Sequence, residues 1–139
     1  GAVDFKKINN QYKIFIKNYS VQLKTHIKEY FIKLNNFPIG EIILNSIDRD
    51  GTGNGLDFEI LNFMPKKMKK SIIISGGCGN AAHFSEGLIN KSIDAVNTAN
   101  LLNFIGDGLK KAREEMLINS FKLPMWDVKK INVLKDKFK

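Results

Sequence analysis

Residues 41–57, EIILNSIDRDGTGNGLD, carry the reading that decides the fold. Ile42, Ile43 and Leu44, with Ile47 beyond Asn45 and Ser46, are apolar and run directly into Asp48, Arg49, Asp50, Gly51 and Thr52. A buried strand therefore ends in a dense polar loop, which is where α/β folds keep their chemistry.

Upstream, residues 21–34 place Leu23, Ile27, Phe31 and Leu34 at helical spacing, with Lys24, Lys28 and Lys33 elsewhere on the circle. This pattern predicts an amphipathic helix with one buried stripe. Asn35, Asn36, Phe37 and Pro38 end it, and Gly40 leads into the strand. Before it, Tyr12, Ile14 and Ile16 alternate with Lys13 and Phe15 after the turn-like pair Asn9 and Asn10, which predicts a short extended ribbon. Ala2, Val3 and Asp4 read as a buried strand met part-way along.

Downstream, a second helix is expected from Leu56 or Phe58 to about Phe63, limited by Pro65. Residues 71–75, SIIIS, form the unbroken apolar run of a strand buried on both faces of a parallel sheet. Gly76, Gly77, Cys78 and Gly79 follow at once, and Asn80 is placed to cap a helix through Ala81, Ala82, Phe84 and Leu88. Residues 93–97, IDAVN, give a fourth strand with Thr98, Ala99 and Asn100 as its polar exit. A last helix over residues 106–119 turns Leu109, Ala112, Met116 and Leu117 inward. The expected division is a (β/α)4 unit at residues 1–123 and a lysine-rich tail at 124–139.

Strand and helix thus alternate four times with short turns after each strand, which calls for parallel strands and right-handed crossovers. Such a chain forms an open doubly wound sheet or half of an eight-stranded barrel, since a full barrel takes about 250 residues. The chain has 139 residues.

Composition narrows the function classes. Hydrophobic residues at 43% and charged residues at 26% are those of an ordinary globular domain. No run approaches the ~18 apolar residues of a membrane span, and the opening GAVDFKK lacks a signal-peptide core. A cytoplasmic chain without membrane contact is expected. The single cysteine, Cys78, has no disulfide partner, and no metal-ligand spacing or cofactor motif is present. The net charge of +8 comes from lysines spread over helices and the tail. Lys66, Lys67, Lys69 and Lys70 cluster after a helix end without interleaved aromatics, so nucleic acid is not an expected partner.

Polar residues at the C-terminal ends of parallel strands converge on one face. Those residues are Asp4; Asn45, Ser46, Asp48 and Asp50; Ser75 with the glycine turn; and Thr98, Ala99 and Asn100. A Gly-Gly-x-Gly turn between a strand and a helix exposes N–H groups to an anion, and phosphate is its natural ligand. Asp4 is either a general acid/base or the cap of a turn. Asp48 and Asp50 flank Arg49, so either can serve simply as its ion-pair partner. His26 is expected to be solvated, and His83, on the first turns of its helix, either faces the anion or is exposed.

Residues 40–52, GEIILNSIDRDGT, followed by Gly55 and Asp57, resemble the sixth-strand signature of the cyclase subunit (HisF type) of imidazole glycerol phosphate synthase. That subunit is a TIM (β/α)8 barrel closing the imidazole ring in histidine biosynthesis. The sister isomerase shares the Arg-Asp-Gly-Thr loop, but Ser-Ile-Asp ahead of it is similar to the cyclase type. Residues 2–7 resemble the fifth strand, residues 75–79 with His83 and Phe84 the seventh, and residues 93–104 the eighth. The resemblance covers only the second half of the barrel, strands 5 to 8.

It implies a carbon-nitrogen lyase taking ammonia from a glutaminase partner and a bisphosphorylated small-molecule substrate. Asp4 matches the fifth-strand acid/base. Ser75, Gly76, Gly77 and Gly79 match the phosphate turn, faced by Ala99 and by Asn100, which replaces the usual serine. Asn45 stands where threonine is usual, Asp50 with Gly51 and Thr52 matches the substrate loop, and Glu41 belongs to a charged ring that gates ammonia. The first-strand aspartate and the second phosphate site lie in strands 1 to 4, so the isolated half is expected to be inactive. The asparagine-rich site also fits a paralogue in sugar amidation for surface polysaccharides. The alternative is a non-catalytic phosphate-binding half-barrel, an assembly module pairing with itself or with an N-terminal half through strand edges.

Overall fold

The strand singled out above forms as β4, Glu41–Ser46, with Ile42, Leu44 and Ser46 buried on one face and Ile43 and Asn45 half-buried on the other. In this computed structural model, which describes residues 1–99 and 108–123, β4 lies inside a six-stranded sheet. Strand β1 (Ala2–Ile8) runs parallel on one side and β5 (Ser71–Ser75) parallel on the other. Strand β6 (Ala95–Val96) is parallel to β5.

The register sets Val3 beside Leu44 and Leu44 beside Ile74, so one face of the sheet is apolar across three strands. Helix α1 (Ile27–Asn36) lays Ile27 and Phe31 on that face, and the 3-10 helix Phe58–Phe63 adds Ile60. A second cluster joins Leu56, Ile74, Cys78 and Ile93, with Phe84 of α2 (Ala81–Ile89) packed against it. Helix α3 (Gly108–Ile118) packs on α2 and buries Ala112 and Met116. Phe5, Phe31, Ile42 and Leu44 are fully buried, each contributing about 1.5–3 kcal/mol relative to exposure. Carrying helices on one face, the parallel strands form an α/β sheet consistent with part of a TIM barrel.

On the opposite face Ala2, Ile43, Ile73 and Ala95 stand in one register row, the last three half-buried and Ala2 exposed. A closed barrel fills this side with inward-pointing side chains.

The observed structure departs from the expected one in five places. The expected ribbon is an antiparallel hairpin, β1 with β2 (Gln11–Ile16), so the strands are not all parallel. Asn9 (φ 47°) and Asn10 (φ 59°) turn it, the paired left-handed residues that match strand twist. The helix predicted from residue 21 begins at Ile27, because Val21–Gln22 pairs with β2 as the short strand β3 and Leu23 N–H donates to Ile14 O at 2.8 Å. Ladder bonds outweigh a helical stripe at that end. The second helix is only a 3-10 segment, and the strand expected at residues 93–97 is reduced to two residues. Leu117 faces outward rather than inward. The expected tail, residues 100–104 of the eighth-strand resemblance and residues 106–107 of the last helix fall outside the described residues, as does the side chain of Leu109.

Candidate functional site

Three neighbouring strand ends build the site. The parallel register aligns Asp4 with Asn45 and Asn45 with Ser75, on the face away from the helices. Asn45 Nδ2 donates to Asp4 Oδ1 at 3.0 Å. Asn97, just beyond β6, donates from Nδ2 to Ser75 Oγ at 3.2 Å. A polar row thus crosses all four parallel strands.

The glycine turn lies directly beyond Ser75. Gly76 (φ 88°) and Gly77 (φ 92°) occupy backbone that side chains rarely adopt. A Cβ on Gly76 would fall 2.5 Å from the Ser46 carbonyl oxygen, and one on Gly77 2.2 Å from the Gly55 carbonyl oxygen. The approach is close because Gly55 N–H donates to Gly77 O at 2.8 Å, while Gly79 rests against Gly53. The loop after β4 is therefore laid backbone to backbone onto the turn after β5.

Arg49 fastens that loop. Its Nη1 donates to Gly55 O at 3.2 Å and Leu56 O at 3.0 Å. Neither flanking aspartate takes up the ion pair open to it. Asp48 instead accepts the Lys7 N–H at 2.7 Å and lies 3.7 Å from Lys6 Nζ. The exposed Asp50 donates its N–H to Ser46 O at 2.9 Å. Thr52 Oγ1 donates to Arg49 O at 2.8 Å and accepts the Asn54 N–H, so both it and the exposed Gly51 (φ 75°) belong to the loop's turn. Behind the loop, Tyr12 donates its hydroxyl to Asp57 Oδ1 at 2.8 Å; both are buried. Burial and the Asp57 carboxylate push the Tyr12 hydroxyl well above the usual tyrosine range.

Asn80 caps α2 as expected, its Oδ1 accepting the His83 N–H at 3.0 Å. His83 is half-buried rather than solvated, because its Nδ1 accepts the Gly79 N–H at 3.1 Å. His26 is exposed and caps α1. Thr98 Oγ1 donates to Cys78 O at 3.0 Å, which ties the stretch leading to Ala99 to the glycine turn; Asn100 lies outside the described residues. Glu41 stands exposed at the opposite, N-terminal end of β4.

Sequence reasoning missed Tyr12, Asp57 and the pairing of His83 with Gly79. The last had a signal, the Asn80-x-x-His83 spacing of a capped first turn.

Cys78 is buried in the turn, and burial pushes its thiol up to about 11. The unfolded chain ionises this thiol near 8.5. Its contribution to stability is therefore complete below that pH and is lost as pH rises through 11. At pH 8 alkylation of folded Cys78 is expected to run about a hundred-fold slower than that of free cysteine. Mass-spectrometric labelling over time checks this, and equal rates would refute it.

Residues 1–105 match the family model described as Histidine biosynthesis protein. The chain belongs to the histidine biosynthesis protein family. Among similar members, it is 45% identical over 115 residues to a protein provisionally named imidazole glycerol phosphate synthase subunit hisF2 from Parasynechococcus marenigrum, covering 83% of this chain and 43% of that protein. It is 33% identical over 113 residues to the imidazole glycerol phosphate synthase subunit HisF of Chlorobaculum parvum, covering 81% and 45%. A HisF subunit of Clostridium botulinum is 36% identical over 105 residues, covering 74% and 42%. The chain spans less than half the length of these curated relatives. Among the described residues no helix is long and apolar enough to cross a membrane.

Proposed function

We propose that this chain is the acid/base and phosphate-holding half of a HisF-type cyclase, which closes an imidazole ring with ammonia from a glutaminase partner. The observation that carries the reading is the row Asp4, Asn45 and Ser75, set on adjacent strand ends and running into the Gly76 and Gly77 turn. Asp4 exchanges protons with the closing ring while Asn45 orients its carboxylate. The turn, with Gly79 and with Ala99 following the Thr98–Cys78 bond, holds one phosphate of a bisphosphorylated substrate near the N-terminus of α2. Asp50, Gly51 and Thr52 supply the substrate loop, and Glu41 gates ammonia at the far end of the sheet.

Ring closure needs a second acid/base group, which the other half of a barrel supplies, so residues 1–123 alone turn over no substrate. The substrate belongs to the histidine pathway or to its sugar-amidation counterpart. A second reading, an assembly module that binds phosphate without catalysis, draws on the half-exposed row of Ile43, Ile73 and Ala95, which suits a complementary half-barrel.

The test is a nuclear magnetic resonance titration with inorganic phosphate and a bisphosphorylated nucleotide analogue. The amides of Gly77 and Ala99 are expected to shift together and to saturate. Absence of any shift at both would sink the phosphate site and, with it, the cyclase reading.

A further inference from the structure

The turn between β2 and β3 holds three consecutive residues with side chains in left-handed backbone: Lys17 (φ 53°), Asn18 (φ 52°) and Tyr19 (φ 66°). Such backbone is uncommon for residues other than glycine, and strain of this kind gathers at functional positions. The turn is closed on itself, with Ser20 donating to Lys17 O from its N–H at 3.2 Å and from its Oγ at 2.6 Å.

This conformation carries Tyr19 to the polar row. Asn45 Nδ2 lies 3.3 Å from the Tyr19 hydroxyl oxygen and 3.0 Å from Asp4 Oδ1. An amide nitrogen has two hydrogens, so both bonds form at once and fix which way the Asn45 amide faces. The Tyr19 oxygen accepts in this arrangement, which leaves its own hydrogen to donate elsewhere. Tyr19 is 44% exposed, so that donor is open to a ligand.

We infer that Tyr19 is a positioning residue of this site: it locks Asn45 toward Asp4 and presents its hydroxyl to the azole end of a ligand whose phosphate lies in the glycine turn. The inference rests on the proposed function for the phosphate turn, while the contact with Asn45 stands by itself. Its hydrogen bond is neutral, so its loss is expected to weaken a ligand by about five-fold.

The test compares the wild-type chain with Tyr19→Phe, which keeps the ring and removes only the hydroxyl. Imidazole glycerol phosphate is expected to bind the variant about five-fold more weakly, with inorganic phosphate unchanged within two-fold. Exchange of the Asn45 side-chain amide protons is expected to speed up while the melting temperature stays put, a pattern that a merely structural role would not produce. Equal affinity of both proteins for imidazole glycerol phosphate, or equal weakening toward both ligands, overturns the inference. If the wild-type chain binds neither ligand, the phosphate reading has failed instead, and unchanged Asn45 exchange in Tyr19→Phe then still refutes the positioning role.

Discussion

Replacing Gly77 with alanine is expected to weaken phosphate binding at the turn by at least about ten-fold and to cost about 2–4 kcal/mol of stability. The added Cβ falls 2.2 Å from the Gly55 carbonyl oxygen and 2.9 Å from Arg49 Cβ, on backbone at φ 92°. None of these neighbours is the far end of a flexible side chain, so rotation relieves nothing. The strain is released only by parting Gly55 from Gly77, which separates the loop after β4 from the turn that it braces. Gly40→Ala is the control, because a Cβ there meets nothing within 4 Å. It should stay within about 0.5 kcal/mol of the wild type. Urea unfolding and phosphate titration read both quantities. A Gly77→Ala chain that binds phosphate like the wild type would show that the turn's geometry is not what holds the anion.

Much of this architecture is legible in the residues, and what escapes does so for physical reasons. Strands β4 and β5 are apolar runs closed by polar turns, and burial alone writes that pattern into a chain. The cap at Asn80 is equally local. The pairing of Asp4 with Asn45 joins residues 41 apart, and only the register of two parallel strands brings them together. The residues from Val21 onward satisfy a helical period, yet the same residues serve a hairpin edge, and the ladder to Phe15 and Ile16 wins. Tyr19 reaches Asn45 only through three left-handed residues, a conformation that Lys, Asn and Tyr do not announce.

Arg49→Leu is expected to cost about 2–3 kcal/mol and to loosen phosphate binding at the neighbouring turn. Between two aspartates, this arginine reads as one member of an ion pair, but its guanidinium is spent on backbone. One nitrogen holds the carbonyls of Gly55 and Leu56, both buried residues. Leucine fills part of the space and donates nothing, so two carbonyl oxygens lose a charged donor at a place where few waters reach them. Gly55 is also the residue whose N–H holds Gly77, so freedom gained there passes into the glycine turn. The two accounts of the motif separate cleanly. If Arg49 acts on the backbone, Asp50→Asn leaves stability within about 0.5 kcal/mol of the wild type, and salt does not erase the Arg49→Leu defect. If it acts as an ion pair, Asp50→Asn costs as much as Arg49→Leu and salt levels the difference. Urea unfolding at low and high ionic strength decides between them. Lysine at the position is expected to recover only part of the loss, because its strongly hydrated ammonium on a flexible stem must give up water to serve the two carbonyls.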